Sequence, residues 1–186
     1  MTTHAPYSQG KYQVRFDQGD AGLARIAGGA DIVVWVDALE EASGSDQVAP
    51  PVFAVPEGAA VVAASLTDAS VVARWILAEQ ERLGRRAYLA IVAARDGGGF
   101  PVPDLLAAGA LIDALIDLGI DDTSPEAAFV SSGFAGLKRA VRHLTSASAQ
   151  GRQAAVDGAT AERLNELATL GSITEVGDVR VLRAGV

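Results

Sequence analysis

The sequence predicts an α/β fold, layered α/β/α around a mostly parallel sheet with a helical C-terminal part, on three observations. Ile32-Val33-Val34-Trp35-Val36, Ala60-Val61-Val62-Ala63-Ala64 and Tyr88-Leu89-Ala90-Ile91-Val92 are runs of strand length with almost no polar residue in them. Such runs mark strands buried on both faces, as in a parallel sheet covered by helices. Segments with the 3.6-residue apolar period alternate with them, and strand and helix in alternation imply a parallel layered fold. From Ser124 onward the pattern is mostly helical.

In chain order, residues 12–16 alternate like an edge strand, and residues 20–26 make a short helix closed by Gly28-Gly29. The strand at 32–36 follows. Residues 40–51 have loop composition and end in Pro50-Pro51, after which residues 52–55 and 60–64 read as strands flanking the turn Pro56-Glu57-Gly58. Asp68 is a suitable N-cap for a helix running to about Leu83, with Val71, Val72, Trp75 and Ile76 on its apolar stripe. The strand at 88–92 and that at 32–36 are both expected in the sheet interior. The glycine loop 95–99 leads to a helix with Pro103 at its first position and Leu105, Leu106, Gly109, Ile112, Leu115 and Ile116 on its buried face. Ser124-Pro125-Glu126 opens a helical region, with further helices expected at 134–144 and 159–167 and a closing strand at 178–182. No repeat or linker divides residues 1–186, so a single domain is expected, and a chain of this length buries about 70% of its unfolded surface.

Composition narrows the function classes. The chain has no cysteine, which excludes disulfides, thiolate zinc sites and a cysteine nucleophile, and agrees with a reducing compartment. Its first ten residues are polar, and its longest uncharged apolar stretch, residues 58–66, is too short to span a bilayer, so a soluble cytoplasmic protein is expected. A net charge of −8 opposes binding to nucleic acid or to an anionic membrane. A polyanionic ligand would therefore need local positive charge from arginines, helix N-termini or a divalent cation. With two histidines only, His4 and His143, a histidine relay has little to work with. Hydrolysis by this chain would rest on carboxylates and a metal.

Asp37 is the first candidate, because ligands of open α/β sheets bind at the carboxyl ends of the strands. Asp68 and Asp104 stand at helix starts. Mg²⁺ takes hard oxygen ligands and needs only one or two carboxylates beside water and phosphate, so these three suffice as metal ligands. Capping of turns and helices explains the same residues structurally. Arg95, with the backbone N–H groups of Gly97 and Gly98, is a candidate for contacting a substrate oxyanion, against the simpler reading of a surface turn. Neither a Walker-type loop nor Gly-x-Gly-x-x-Gly is present. Lys138, Arg139, Arg142 and His143 read as a solvated basic helix end, and Ser131-Ser132 lacks a nucleophile-elbow pattern.

The segments Tyr12-Gln13-Val14-Arg15-Phe16, Ala30 through Leu39, Ser65-Leu66-Thr67-Asp68-Ala69-Ser70, Ile91 through Arg95 and Asp104-Leu105-Leu106-Ala107-Ala108-Gly109-Ala110, in that order, resemble the 2-phosphosulfolactate phosphatase family. With Ser124-Pro125-Glu126-Ala127 and the closing helices, the resemblance covers most of the chain. That family consists of Mg²⁺-dependent α/β phosphatases known from coenzyme M biosynthesis. The resemblance implies catalytic and metal-binding roles for Asp37 and Asp104, and places Arg95 as the arginine of the family's Gly-Glu-Arg motif. The chain departs from the family in having Ala94 for that Glu, Asp68 for an Asn, Glu57 within the Pro-Asn-Gly turn, and Glu40-Glu41-Ala42-Ser43 where arginine and hydroxyl residues follow the first aspartate. A strand and helix that should come next are missing.

The expected function is Mg²⁺-dependent hydrolysis of a small anionic phosphorylated substrate. The alternative is a catalytically silent relative acting as a binding or interaction module, with homo-oligomer formation left open. Hydrolysis of 2-phosphosulfolactate itself is expected to be poor or absent. Asp37 and Asp104 are expected to approach closely enough to share Mg²⁺ directly or through its waters, a separation above about 10 Å being too large for any such bridge.

Overall fold

The computed structural model describes residues 5–42, 55–94 and 99–186. Five strands form one sheet: β1 (Val14–Gln18), β2 (Ile32–Val36), β3 (Ala60–Ala64), β4 (Leu89–Ala93) and β5 (Val181–Arg183), in the order β1-β4-β2-β3-β5. The first four are mutually parallel, whereas β5 runs antiparallel to β3. The registers Val34 with Ile91 and Val34 with Val62 place β2 between β4 and β3. Every residue of β2, β3 and β4 is buried, as near-continuous apolar runs require.

Helices cover both faces. α1 (Gly19–Ile26) packs Leu23 and Ile26 against Val33, Trp35, Ala90 and Val92 on one face. On the other, Ile32, Val34 and Val36 meet Val71, Val72 and Ile76 of α2 (Ala69–Leu83) and Leu111, Ile112 and Leu115 of α3 (Val102–Asp117). α3 also carries α4 (Pro125–Leu137), which explains why its buried surface extends around Ala107, Ala108 and Ala110 beyond the one stripe expected. Ile116, expected on the buried face, is instead exposed.

The C-terminal half is more broken than its periodicity suggests. The helix expected at 134–144 is divided: α4 starts at Ser124, whose hydroxyl accepts from Ala127 N, and a 3-10 turn over Lys138–Ala140 separates it from α5 (Val141–Ala147). α6 (Ala149–Val156) was not predicted, although its N-cap, Ser148, is of the right type. α7 (Ala161–Leu167) starts at Thr160, and a 3-10 turn over Val176–Asp178 displaces the closing strand to Val181–Arg183. Of the strand expected at 52–55, residues 52–54 lie outside the described residues.

At the amino end of the sheet, Asp31 accepts two hydrogen bonds from the Arg85 guanidinium, at 2.8 and 2.9 Å, and one from Tyr88 N at 2.8 Å. The hydrogen bonds from Arg85 hold this carboxyl below the ordinary aspartate range. A depressed folded-state pKa contributes stability that is present above the unfolded value of about 4 and is lost as pH falls through the folded value. Asp31→Asn is therefore expected to flatten the acid limb of the stability curve below about pH 4. Equilibrium unfolding at stepped pH measures this, and an unchanged limb would show that the pair contributes nothing.

Candidate functional site

The carboxyl ends of β2 and β3 and the segment preceding β5 enclose a cleft of about 290 Å³. Asp37 and Asp68 both line it. Asp37 continues the β2 ladder through its N–H to Ala64 O at 3.0 Å, and its Oδ1 accepts from Leu39 N at 3.1 Å. The side chain thus shapes the turn after β2, as the structural reading anticipated, while the residue stays at the cleft wall at 8% exposure.

Asp68 departs from its expected role. Its side chain makes no cap bond to α2; Oδ1 turns back to accept from Ser65 N at 2.6 Å and Ser65 Oγ at 3.1 Å. The backbone carbonyl of Asp68 receives Val71 N and Val72 N instead. Burial pushes the Asp68 carboxyl above the ordinary aspartate range, opposed by the bonds from Ser65 and by the charge of Arg180.

Asp104 lies in the first turn of α3 at 1% exposure and does not line the cleft. Its Oδ1 accepts from Ala38 N at 2.9 Å, and its Oδ2 from Gln150 Nε2 at 3.1 Å. The bonded N–H belongs to the residue next to Asp37, so Asp104 anchors the backbone that follows Asp37. Among the described residues, no three Asp, Glu, His or Cys side chains are grouped so as to hold a metal ion. Arg95, Gly97 and Gly98 lie outside the described residues.

Two arginines at the cleft were missed by the sequence reading. Arg180 forms an ion pair with Glu40, and its carbonyl accepts from Ala63 N at 3.0 Å, which fixes it beside β3. Arg163, on α7, pairs with Glu166 at 3.2 Å. The negative charge of Glu40 is therefore compensated where it meets the cleft. Asp178 and Glu166 also line the cleft, so carboxylates outnumber arginines there. The excess of carboxylates makes the lining acidic, with both arginines held in ion pairs.

The fold and this cleft define an open, mostly parallel α/β protein with a ligand-sized depression at the carboxyl edge of its sheet, the usual location of binding sites in that architecture. No protein-family model matches the chain, and no curated protein matches it. Among the described residues, no helix is long and apolar enough to cross a membrane.

Proposed function

We propose that the cleft is a Mg²⁺-dependent site for a small anionic phosphorylated substrate, and that the protein is a divergent 2-phosphosulfolactate phosphatase-like hydrolase of low activity acting in the cytoplasm. The observation that carries this reading is the presence of Asp37 and Asp68 in one cleft with Arg163 and Arg180. Two carboxylates suit Mg²⁺, which ordinarily completes its shell with water and phosphate oxygens. When bound, Mg²⁺ would withdraw charge from the phosphoryl group.

Asp37 and Asp68 would hold the ion. Asp104 acts one step back, fixing the backbone after Asp37 through Ala38 N. Because burial already disfavours the ionised form of Asp68, a cation beside it would be stabilising, and protons compete for this carboxylate at a higher pH than for an ordinary aspartate. Arg163 and Arg180 would face the substrate anion. Pairing with Arg180 matters here, since a unit charge at contact distance interacts by about 4 kcal/mol at a surface-like effective dielectric. Low activity is proposed because Ala94 stands in place of a carboxylate and a segment that would help exclude water is missing.

Calorimetric titration with Mg²⁺, alone and with phosphorylated three-carbon acids, tests the site. Asp37→Asn is expected to weaken Mg²⁺ binding at least about tenfold, corresponding to about 1.4 kcal/mol. A wild-type chain that binds no Mg²⁺ with any of these acids present would overturn the reading. Steady-state kinetics are expected to give kcat/KM for 2-phosphosulfolactate below about 10⁴ M⁻¹s⁻¹, the lower end for ordinary enzymes. Binding with no turnover of any acid would identify the silent relative instead.

A further inference from the structure

We propose that Arg180 is the built-in counter-cation of the cleft and that its charge holds down the affinity of Asp37 and Asp68 for Mg²⁺, an inference that rests on the Mg²⁺ reading of that cleft. Arg180 lines the cleft with both aspartates. Its position is fixed at two points: its carbonyl accepts from Ala63 N at 3.0 Å, and its guanidinium pairs with Glu40, 140 residues earlier, on the 3-10 turn that follows β2. The side chain of Glu40 is 9% exposed and that of Arg180 35%, so solvent screens this pair little. Arg163, the other arginine of the lining, pairs with Glu166 at side-chain exposures of 39% and 67%, where water and salt weaken its field. Asp68 registers the difference. The charge of Arg180 acts on its carboxyl, opposing the effect of burial.

A guanidinium and a divalent ion answer the same need, since each brings positive charge to half-buried carboxylates. Arg180 is tethered and always charged, so it answers that need first. An ion of charge two is repelled by it twice as strongly as a unit charge at the same distance, and Mg²⁺ sheds its water reluctantly in any case. The cleft therefore holds Mg²⁺ loosely. Removing the charge of Arg180 acts in two ways, because one repulsion disappears and Glu40, no longer paired, adds its attraction to that of Asp37 and Asp68. Mg²⁺ binding then tightens. An arginine that served only to brace the segment before β5 gives the opposite sign, since losing the Glu40 pair would loosen the cleft wall and weaken the ion's site.

Calorimetric titration of the full chain with Mg²⁺ alone, at one ionic strength, tests this. Arg180→Gln is expected to tighten Mg²⁺ binding at least about tenfold. Arg180→Lys, which keeps the charge but loses the planar fork, is expected to stay within about threefold of the wild type. Glu40→Gln is expected to weaken binding, and adding Arg180→Gln to it to tighten binding again by at least about tenfold, a comparison that decides the matter even where Arg180→Gln alone does not fold. Equal or weaker binding on loss of Arg180 in either background overturns the inference, as does a lysine variant that binds as tightly as the glutamine one. A wild-type chain that binds Mg²⁺ while Arg180→Gln binds it no better sinks this inference and leaves the function proposed above intact. A wild-type chain that takes no Mg²⁺ even with phosphorylated three-carbon acids present overturns both.

Discussion

Asp104→Ala is expected to lower the unfolding free energy by about 4 kcal/mol, whereas Asp104→Asn is expected to cost less than about 1 kcal/mol. Alanine removes both acceptors from a side chain at 1% exposure and strands Ala38 N and Gln150 Nε2. An unsatisfied buried donor costs about 1–3 kcal/mol, and the vacated volume adds to it. Asparagine can keep Oδ1 on Ala38 N. Its amide would meet Gln150 after a flip of that side chain, and the flip is available because Gln150 Oε1 is buried without a hydrogen-bond partner. Denaturant unfolding of the two variants measures the difference. If asparagine proves as damaging as alanine, the negative charge itself holds the β2 turn in place.

Gly109→Ala is expected to destabilise by about 3 kcal/mol and to lower the melting temperature by roughly 10 °C. The sign is opposite to that at an exposed helix interior, where the same change stabilises by about 1 kcal/mol. At Gly109 a Cβ would lie 2.5 Å from Phe134 Cβ and 2.6 Å from Val130 O. The second atom is backbone, so relief requires α3 and α4 to separate rather than a side chain to turn aside. Gly133→Ala, at an open position of α4, provides the reference and is expected to leave the protein at least as stable. Calorimetric melting of the pair decides the matter, and equal melting temperatures would show that the two helices can part at little cost.

The strand assignments were legible because burial on both faces leaves a short apolar run that can hardly be anything else. Asp37 was legible for a related reason: a carboxylate directly after such a run lies at the sheet edge whatever its job. The sequence also located Asp104 correctly at a helix start, but its bond to Ala38 N spans 66 residues and leaves no local trace. Arg163 and Arg180 were missed on the same ground, since they reach the cleft only through α7 and the segment before β5. Asp68 shows how a rule of local chemistry misleads; Asp fits an N-cap, yet the N–H of Ser65 won its carboxylate. α6 escaped notice because its small residues, Ala149, Gly151, Ala154 and Ala155, give little apolar contrast.

The pairing of β5 with β3 has a consequence for solubility. A strand as apolar as Ala60–Ala64, left with one row of N–H and C=O groups unpaired, is a template on which another chain can add. β5 blunts that edge with only three residues, two of them Val181 and Arg183 in register with β3, while the Arg183 guanidinium donates to Pro56 O and Ala59 O. At the far side of the sheet, Val14 N donates to Asp122 O and Ser124 N to Val14 O, so residues 122–124 guard the start of β1. Both guards come from the second half of the chain, and local fraying there would expose sticky sheet edges to other molecules while the central β4-β2 pair was still intact.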